Sequence, residues 1–204
     1  MSRALGLGGA SRSVDAMKLI ILGSGTSVPH ARRSAPAYWL ETSSGNILLD
    51  ISADAPHRMA QEGLDWPNLD AIWISHFHLD HSGGLAPFLF GMKWAPQTRK
   101  RTHPLKIFGA HGLFNVFSAV NDSNNYRLLE QQFEIDFVEV EPGVEFDFFL
   151  ELAEAMRLAR ECAPNRLVLT HLYPEWDGID VVSEAKTLWS GETIEATDGL
   201  RLEI

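Results

Sequence analysis

Six consecutive residues, His76-Phe77-His78-Leu79-Asp80-His81, carry three imidazoles and a carboxylate at the end of an apolar run. Imidazole and carboxylate are the usual zinc ligands outside thiolate clusters. On an extended segment side chains alternate with period 2, so His76 and His78 point the same way and one ion can take both. Asp80 and His81 lie on the turn beyond, within reach of a neighbouring ion. Gly83-Gly84 then lets the following backbone pass close to the site. The pattern reads as a metal centre.

The elements that must position this segment are legible from period and punctuation. Short strands are expected near Lys18 to Leu22, Ala37 to Glu41 and Asn46 to Asp50, and a helix from about Pro56 to Glu62. Leu69 to Ser75 reads as a strand buried on both faces that runs into His76. A helical stretch around Leu85 to Phe90, a strand Leu105 to Phe108, a helix near Leu113 to Val120 and a strand Ile135 to Val140 follow. Phe149, Leu152, Ala153, Met156 and Ala159 recur at helical spacing before Pro164, and Arg166 to Thr170 reads as a buried strand ending at His171. Leu200 to Ile204 is expected to close the chain as a strand. Alternating strands and helices favour a layered α/β architecture.

The chain has 204 residues and a formal net charge of -10, with 45% apolar and 22% charged residues. That fits one packed domain, expected over residues 17–204, and excludes collagen, coiled-coil and disulfide scaffolds. Residues 1–16 lack an apolar signal core and read as a disordered extension, so that Met17 is a candidate start. Cys162 is the only cysteine, which excludes an intrachain disulfide and a thiolate zinc cluster and points to a reducing, cytoplasmic setting. No apolar run approaches the about 18 to 20 residues of a membrane span, so no membrane partner is expected. Between Ser82 and Asn121 there is no acidic residue, while Lys93, Arg99, Lys100, Arg101 and Lys106 are basic. Arg99, Lys100 and Arg101 are therefore candidate phosphate contacts, although a run of charges is more often a solvated loop.

The His-x-His-x-Asp-His segment after a buried strand resembles the signature of the metallo-β-lactamase fold hydrolases. Leu22 to Pro29, Ile47 to Asp50, Leu167 to His171 and Ala196 to Gly199 are similar to segments of the ribonuclease Z branch. The resemblance covers most of residues 17–204. It implies an αββα sandwich with zinc at the sheet edges, and cleavage of a phosphodiester by a zinc-activated water, as at the 3′ trailer of a tRNA precursor. It makes His76 and His78 ligands of a first metal, Asp80, His81 and His171 ligands of a second, and Asp80 the catalytic base. Asp50 resembles the buried aspartate that orients the metal loop; by itself it reads equally well as a strand-end turn residue. Gly23-Ser24-Gly25-Thr26 lacks a third glycine and a following lysine, and is better read as a tight turn than as a phosphate cradle.

The chain departs from the dinuclear pattern. No histidine lies between His111 and His171, and no Gly-Asp-Thr-like turn supplies a bridging aspartate. The second half reads as shortened near Phe146 to Leu150, and Asp147 is better placed as a helix N-cap than as a bridging ligand. One firmly held zinc per chain is expected, at Asp80, His81 and His171. RNA or a small phosphodiester is the expected partner, with a homodimer covering the surface that missing strands would leave bare. An inactive relative acting as a binding or assembly module, or a small-ester or lactone hydrolase, are the alternatives. His30, His57, His103 and His111 stand alone and read as surface or hydrogen-bonded histidines. Trp39, Trp73 and Trp94 read as core or lining aromatics rather than a base-stacking platform.

Overall fold

Glycine, serine and proline clusters cut the first half into short strands, and these assemble into one large sheet. The structure, a computed structural model, describes residues 17–140, 156, 159, 160 and 162–204. Strands β1 (Lys18–Gly23), β2 (Ala37–Thr42), β3 (Gly45–Leu49), β4 (Ala71–Trp73), β5 (Leu105–Ala110), β6 (Ile135–Val140) and β9 (Arg201–Glu203) form a sheet in the order β6-β5-β4-β3-β2-β1-β9. β9, β1, β2 and β3 are antiparallel neighbours, whereas β3 to β6 are parallel. Parallel neighbours need a crossover. These are supplied by α1 (Ala55–Gln61) between β3 and β4, α3 (Leu85–Trp94) between β4 and β5, and α4 (Leu113–Asp122) between β5 and β6. The C-terminal ends of β3, β4, β5 and β6 therefore share one edge, where open α/β sheets place their ligand sites.

Alternation sends Ile20, Leu22, Trp39, Leu48, Ile72 and Ile107 to the helix side, where they are fully buried with Met59, Leu89 and Met92. Burying each such side chain contributes about 1.5–3 kcal/mol. The other face carries a register row across six strands: Ile21, Tyr38, Leu49, Trp73, Phe108 and Val138. A second sheet, β7 (Arg166–Leu169) parallel to β8 (Glu192–Glu195), joins this side at the β1–β2 end, with α5 (Val181–Lys186) packed on β8. Tyr38 and Thr170 are bonded across the sheets, and Leu172 N donates to Ser24 O at 3.1 Å. The described layers are thus helices, a large sheet, a small sheet and a helix, an α/β architecture.

Three expectations change. The strand within the expected stretch Leu69 to Ser75 is the three-residue β4, and it is buried on one face only. Ile72 and Ile74 are enclosed, but Trp73 is 40% exposed and stacks on Phe108 at 6.4 Å, because the small sheet stands over the other end of the large one. β8 and α5 were not anticipated. Trp94, expected in the core or as a lining residue, is 67% exposed and meets Phe90 edge-on. Met156, Ala159, Arg160 and Cys162 are helical, as the periodicity requires. The rest of the Phe149 to Ala163 stretch, Asp147, the Phe146 to Leu150 junction and residues 1–16 lie outside the described residues. Among the described residues no helix is long and apolar enough to cross a membrane.

Candidate metal centre

Beyond β4 the backbone bonds once more to β5, through Ile74 N and Phe108 O at 2.9 Å, and then leaves the sheet. A single helical turn, α2 (Leu79–Ser82), follows, with His81 N and Ser82 N donating to His78 O. Two backbone bonds fix this turn to the loop after β3: Ile51 N to His81 O at 2.7 Å and Gly84 N to Ile51 O at 2.8 Å. Only glycine fits at residue 84, since a Cβ there would stand 2.0 Å from Ser52 O.

Asp50, buried at the end of β3 with φ 58°, aims its carboxylate into the turn. It accepts from Ser75 N at 2.8 Å, from Ser75 Oγ at 2.9 Å and from His81 Nδ1 at 2.7 Å. The last bond leaves His81 Nε2 as the ring's lone-pair nitrogen, facing Asp80 Oδ2 at 3.5 Å. His171, just past β7, brings its Nε2 to 3.6 Å from the same oxygen. One ligand atom each from Asp80, His81 and His171 lies within 4.8 Å of the others. Ligand atoms at 2.0–2.1 Å around a tetrahedral ion stand about 3.3 Å apart, so this donor set fits zinc without large movement.

His76 and His78 border this trio without joining it. Their rings are 4.6 Å apart, and His76 is 4.1 Å from the His81 ring. His76 is half-buried, its Nδ1 at 3.0 Å from Ser75 Oγ, and His78 is exposed. Burial, followed by the neighbouring imidazoles, lowers the pKa of His76; burial, then His81, lowers that of His171. Both shifts favour the neutral rings that bind metal.

The basic segment is a correction. Pro96–Lys100 is a 3-10 turn after α3, and Arg101 is only 6% exposed. Its guanidinium donates to the carbonyls of Pro67, His103 and Pro104 at 2.8–3.0 Å and lies over the Phe133 ring, so it cannot serve as a phosphate contact. Arg99 and Lys100 are exposed. α3 begins beside the metal turn and runs about 15 Å away from it, so both stand at the opposite edge of the sheet from the histidines. Arg101→Ala is expected to lower stability by about 3 kcal/mol in urea unfolding, because it strands three carbonyls and a cavity.

His30 pairs with Asp177, His103 with Asp70 and His111 with Glu139, while His57 is exposed. The sequence pattern assigns no role to Ser75, Tyr38 or Asp198. Ser75 adjoins the histidine motif and links Asp50 to His76. Asp198 accepts from Ser24 N at 2.9 Å, Ser24 Oγ at 2.8 Å and Ser34 N at 2.8 Å, closing the Gly23 to Thr26 turn. Its one clue is its place in the Ala196 to Gly199 segment.

Fold and site together are those of a metallo-β-lactamase fold protein. The family described as anti-Pycsar protein Apyc1 matches residues 17–142, and the chain belongs to this family. The chain is 36% identical over 125 residues to ribonuclease Z of Pyrobaculum aerophilum, a match covering 61% of this chain and 42% of that protein. It thus spans less than half the length of this curated relative. Among solved structures it is similar to the metallo-β-lactamase fold protein YhfI of Bacillus subtilis (TM-score 0.73, 19% identity, 93% of this chain and 100% of that one). It is also similar to the short form of human tRNase Z (TM-score 0.60, 15% identity, 91% and 98%).

Proposed function

We propose that the chain is a metal-dependent phosphodiesterase of the ribonuclease Z type, acting on RNA such as a tRNA precursor. The observation that carries this reading is the convergence of Asp80, His81 and His171 from two different sheets. These three would hold one ion, while His76 and His78 alone make too few ligands for a second firm site. Bound there, zinc supplies a Lewis acid that lowers the pKa of water to about 7. Asp80 would take the proton of the attacking water. Asp50 holds the His81 ring through Nδ1, so that Nε2 would be free for the ion. Arg99 and Lys100 would contact phosphates of a strand long enough to run the length of α3. A homodimer, covering Trp73 and its row, and a cytoplasmic setting belong to the same reading.

A small phosphodiester is the second reading, since an ion at Asp80, His81 and His171 would activate water against either substrate. One experiment separates the two: cleavage of a tRNA precursor with a 3′ trailer and of a generic small phosphodiester, with zinc counted per chain. Trailer cleavage with about one zinc per chain, both lost in His81→Ala, is the expected result. Cleavage of the small substrate alone selects the second reading. Two tightly bound zinc ions per chain, or a zinc-free folded chain without activity, would refute the single-metal hydrolase.

A further inference from the structure

The ligand set is divided between two bodies. Asp80 and His81 belong to the large sheet through Asp50, whereas His171 belongs to the small one, so something must fix the distance between them. His171 also has φ 60°, a left-handed conformation that costs a non-glycine residue about 1 kcal/mol and persists only where its surroundings hold it.

Both neighbours of His171 are tied to the large sheet. Leu172 N donates to Ser24 O at 3.1 Å, just past β1. Thr170 Oγ1 lies 3.1 Å from Tyr38 Oη on β2. Tyr38 is the register partner of Leu49, the residue before Asp50. One hydroxyl pair therefore connects the strand neighbouring the Asp50 end to the residue preceding His171. Burial raises the Tyr38 pKa to about 12, so its phenol keeps its proton across the working pH range.

We propose that Tyr38 and Thr170 are positioning residues whose hydroxyl contact sets His171 Nε2 opposite Asp80, and so sets metal affinity and coordination geometry at Asp80, His81 and His171. The proposal rests on the metal-binding reading of the preceding subsection. Neither residue touches the ion. Partners of this kind typically change metal affinity by 10- to 100-fold when lost.

The test uses the full chain stripped of metal. Zinc affinity is read by competition with a chromophoric chelator, and coordination geometry by the visible absorption of the cobalt(II) form. Tyr38→Phe and Thr170→Val each remove only a hydroxyl's hydrogen bonding. Both are expected to weaken zinc binding 10- to 100-fold and to shift the cobalt bands. Thr170→Ser, which keeps the hydroxyl, should stay within about threefold of the parent. The double variant Tyr38→Phe/Thr170→Val should be no weaker than either single one, because one contact is removed in all three. Two control variants, His81→Ala and His171→Ala, keep the failures distinct. If both bind zinc like the parent, the metal reading itself falls. If they lose zinc while Tyr38→Phe and Thr170→Val bind it with parental affinity and spectrum, the positioning role is overturned and the metal site stands.

Discussion

Asp50→Ala is expected to weaken zinc binding 10- to 100-fold and to lower the stability of the metal-free chain by about 2 kcal/mol. A single buried carboxylate bonds Ser75 twice and His81 once, so its loss frees the metal turn and the tautomer of His81 together. The left-handed backbone at residue 50 adds to the cost, since alanine is less at ease there than aspartate. Asp50→Asn keeps a residue that tolerates this conformation and retains one acceptor, so its loss should be smaller. Chelator competition gives the affinity and urea unfolding the stability. An Asp50→Ala variant with parental zinc affinity would show that the turn holds its shape without the carboxylate.

Gly84→Ala has the largest expected structural effect. The added methyl would lie 2.0 Å from Ser52 O and 2.9 Å from Ile51 O, both backbone atoms that cannot rotate away. Either the turn after Asp50 or the start of α3 must move, and with it the Gly84 N to Ile51 O bond. A loss of about 3 kcal/mol or more is expected, together with reduced zinc occupancy, because the same backbone carries His81. Gly91→Ala is the matched control. It lies inside α3, which Gly84 precedes, its Cβ would meet nothing within 4 Å, and helix propensity predicts a gain of about 0.5–1 kcal/mol. Equal effects of the two substitutions in urea unfolding would remove close backbone approach as the reason for Gly84.

The parts of this molecule legible in the sequence are those built from local pattern. The strand at β4, the helices α1, α3 and α4, and the histidine segment depend on periodicity and spacing within a few residues, and each lies near where it is expected. What was not legible depends on contacts between distant residues. Nothing around Tyr38 announces Thr170, and nothing in Ser24 or Ser34 announces Asp198. β8 is only four residues, Glu192-Thr193-Ile194-Glu195, and α5 six, too short for periodicity to separate them from loop. The basic segment shows the same limit in charge. A count of lysines and arginines treats Arg99, Lys100 and Arg101 alike, but Thr98 Oγ1 bonds back to Met92 O and Ala95 O and turns the chain. That turn sends one guanidinium inward to three carbonyls and leaves the other two charges in water.

The split of the ligands between two sheets has a thermodynamic side. A two-stranded sheet is marginal alone in water, and among the described residues the smaller sheet has two strands, β7 and β8, with a small core of Leu169, α5 and the helical residue Met156. An ion held by His171 on one side and by Asp80 and His81 on the other would act as a cross-link between the two bodies. By mass action, a hundredfold excess of free metal over its dissociation constant adds about 2.7 kcal/mol to the folded state. Docking of the smaller sheet and metal supply would then form one coupled equilibrium, so that the same scarcity that emptied the site would loosen the walls around it.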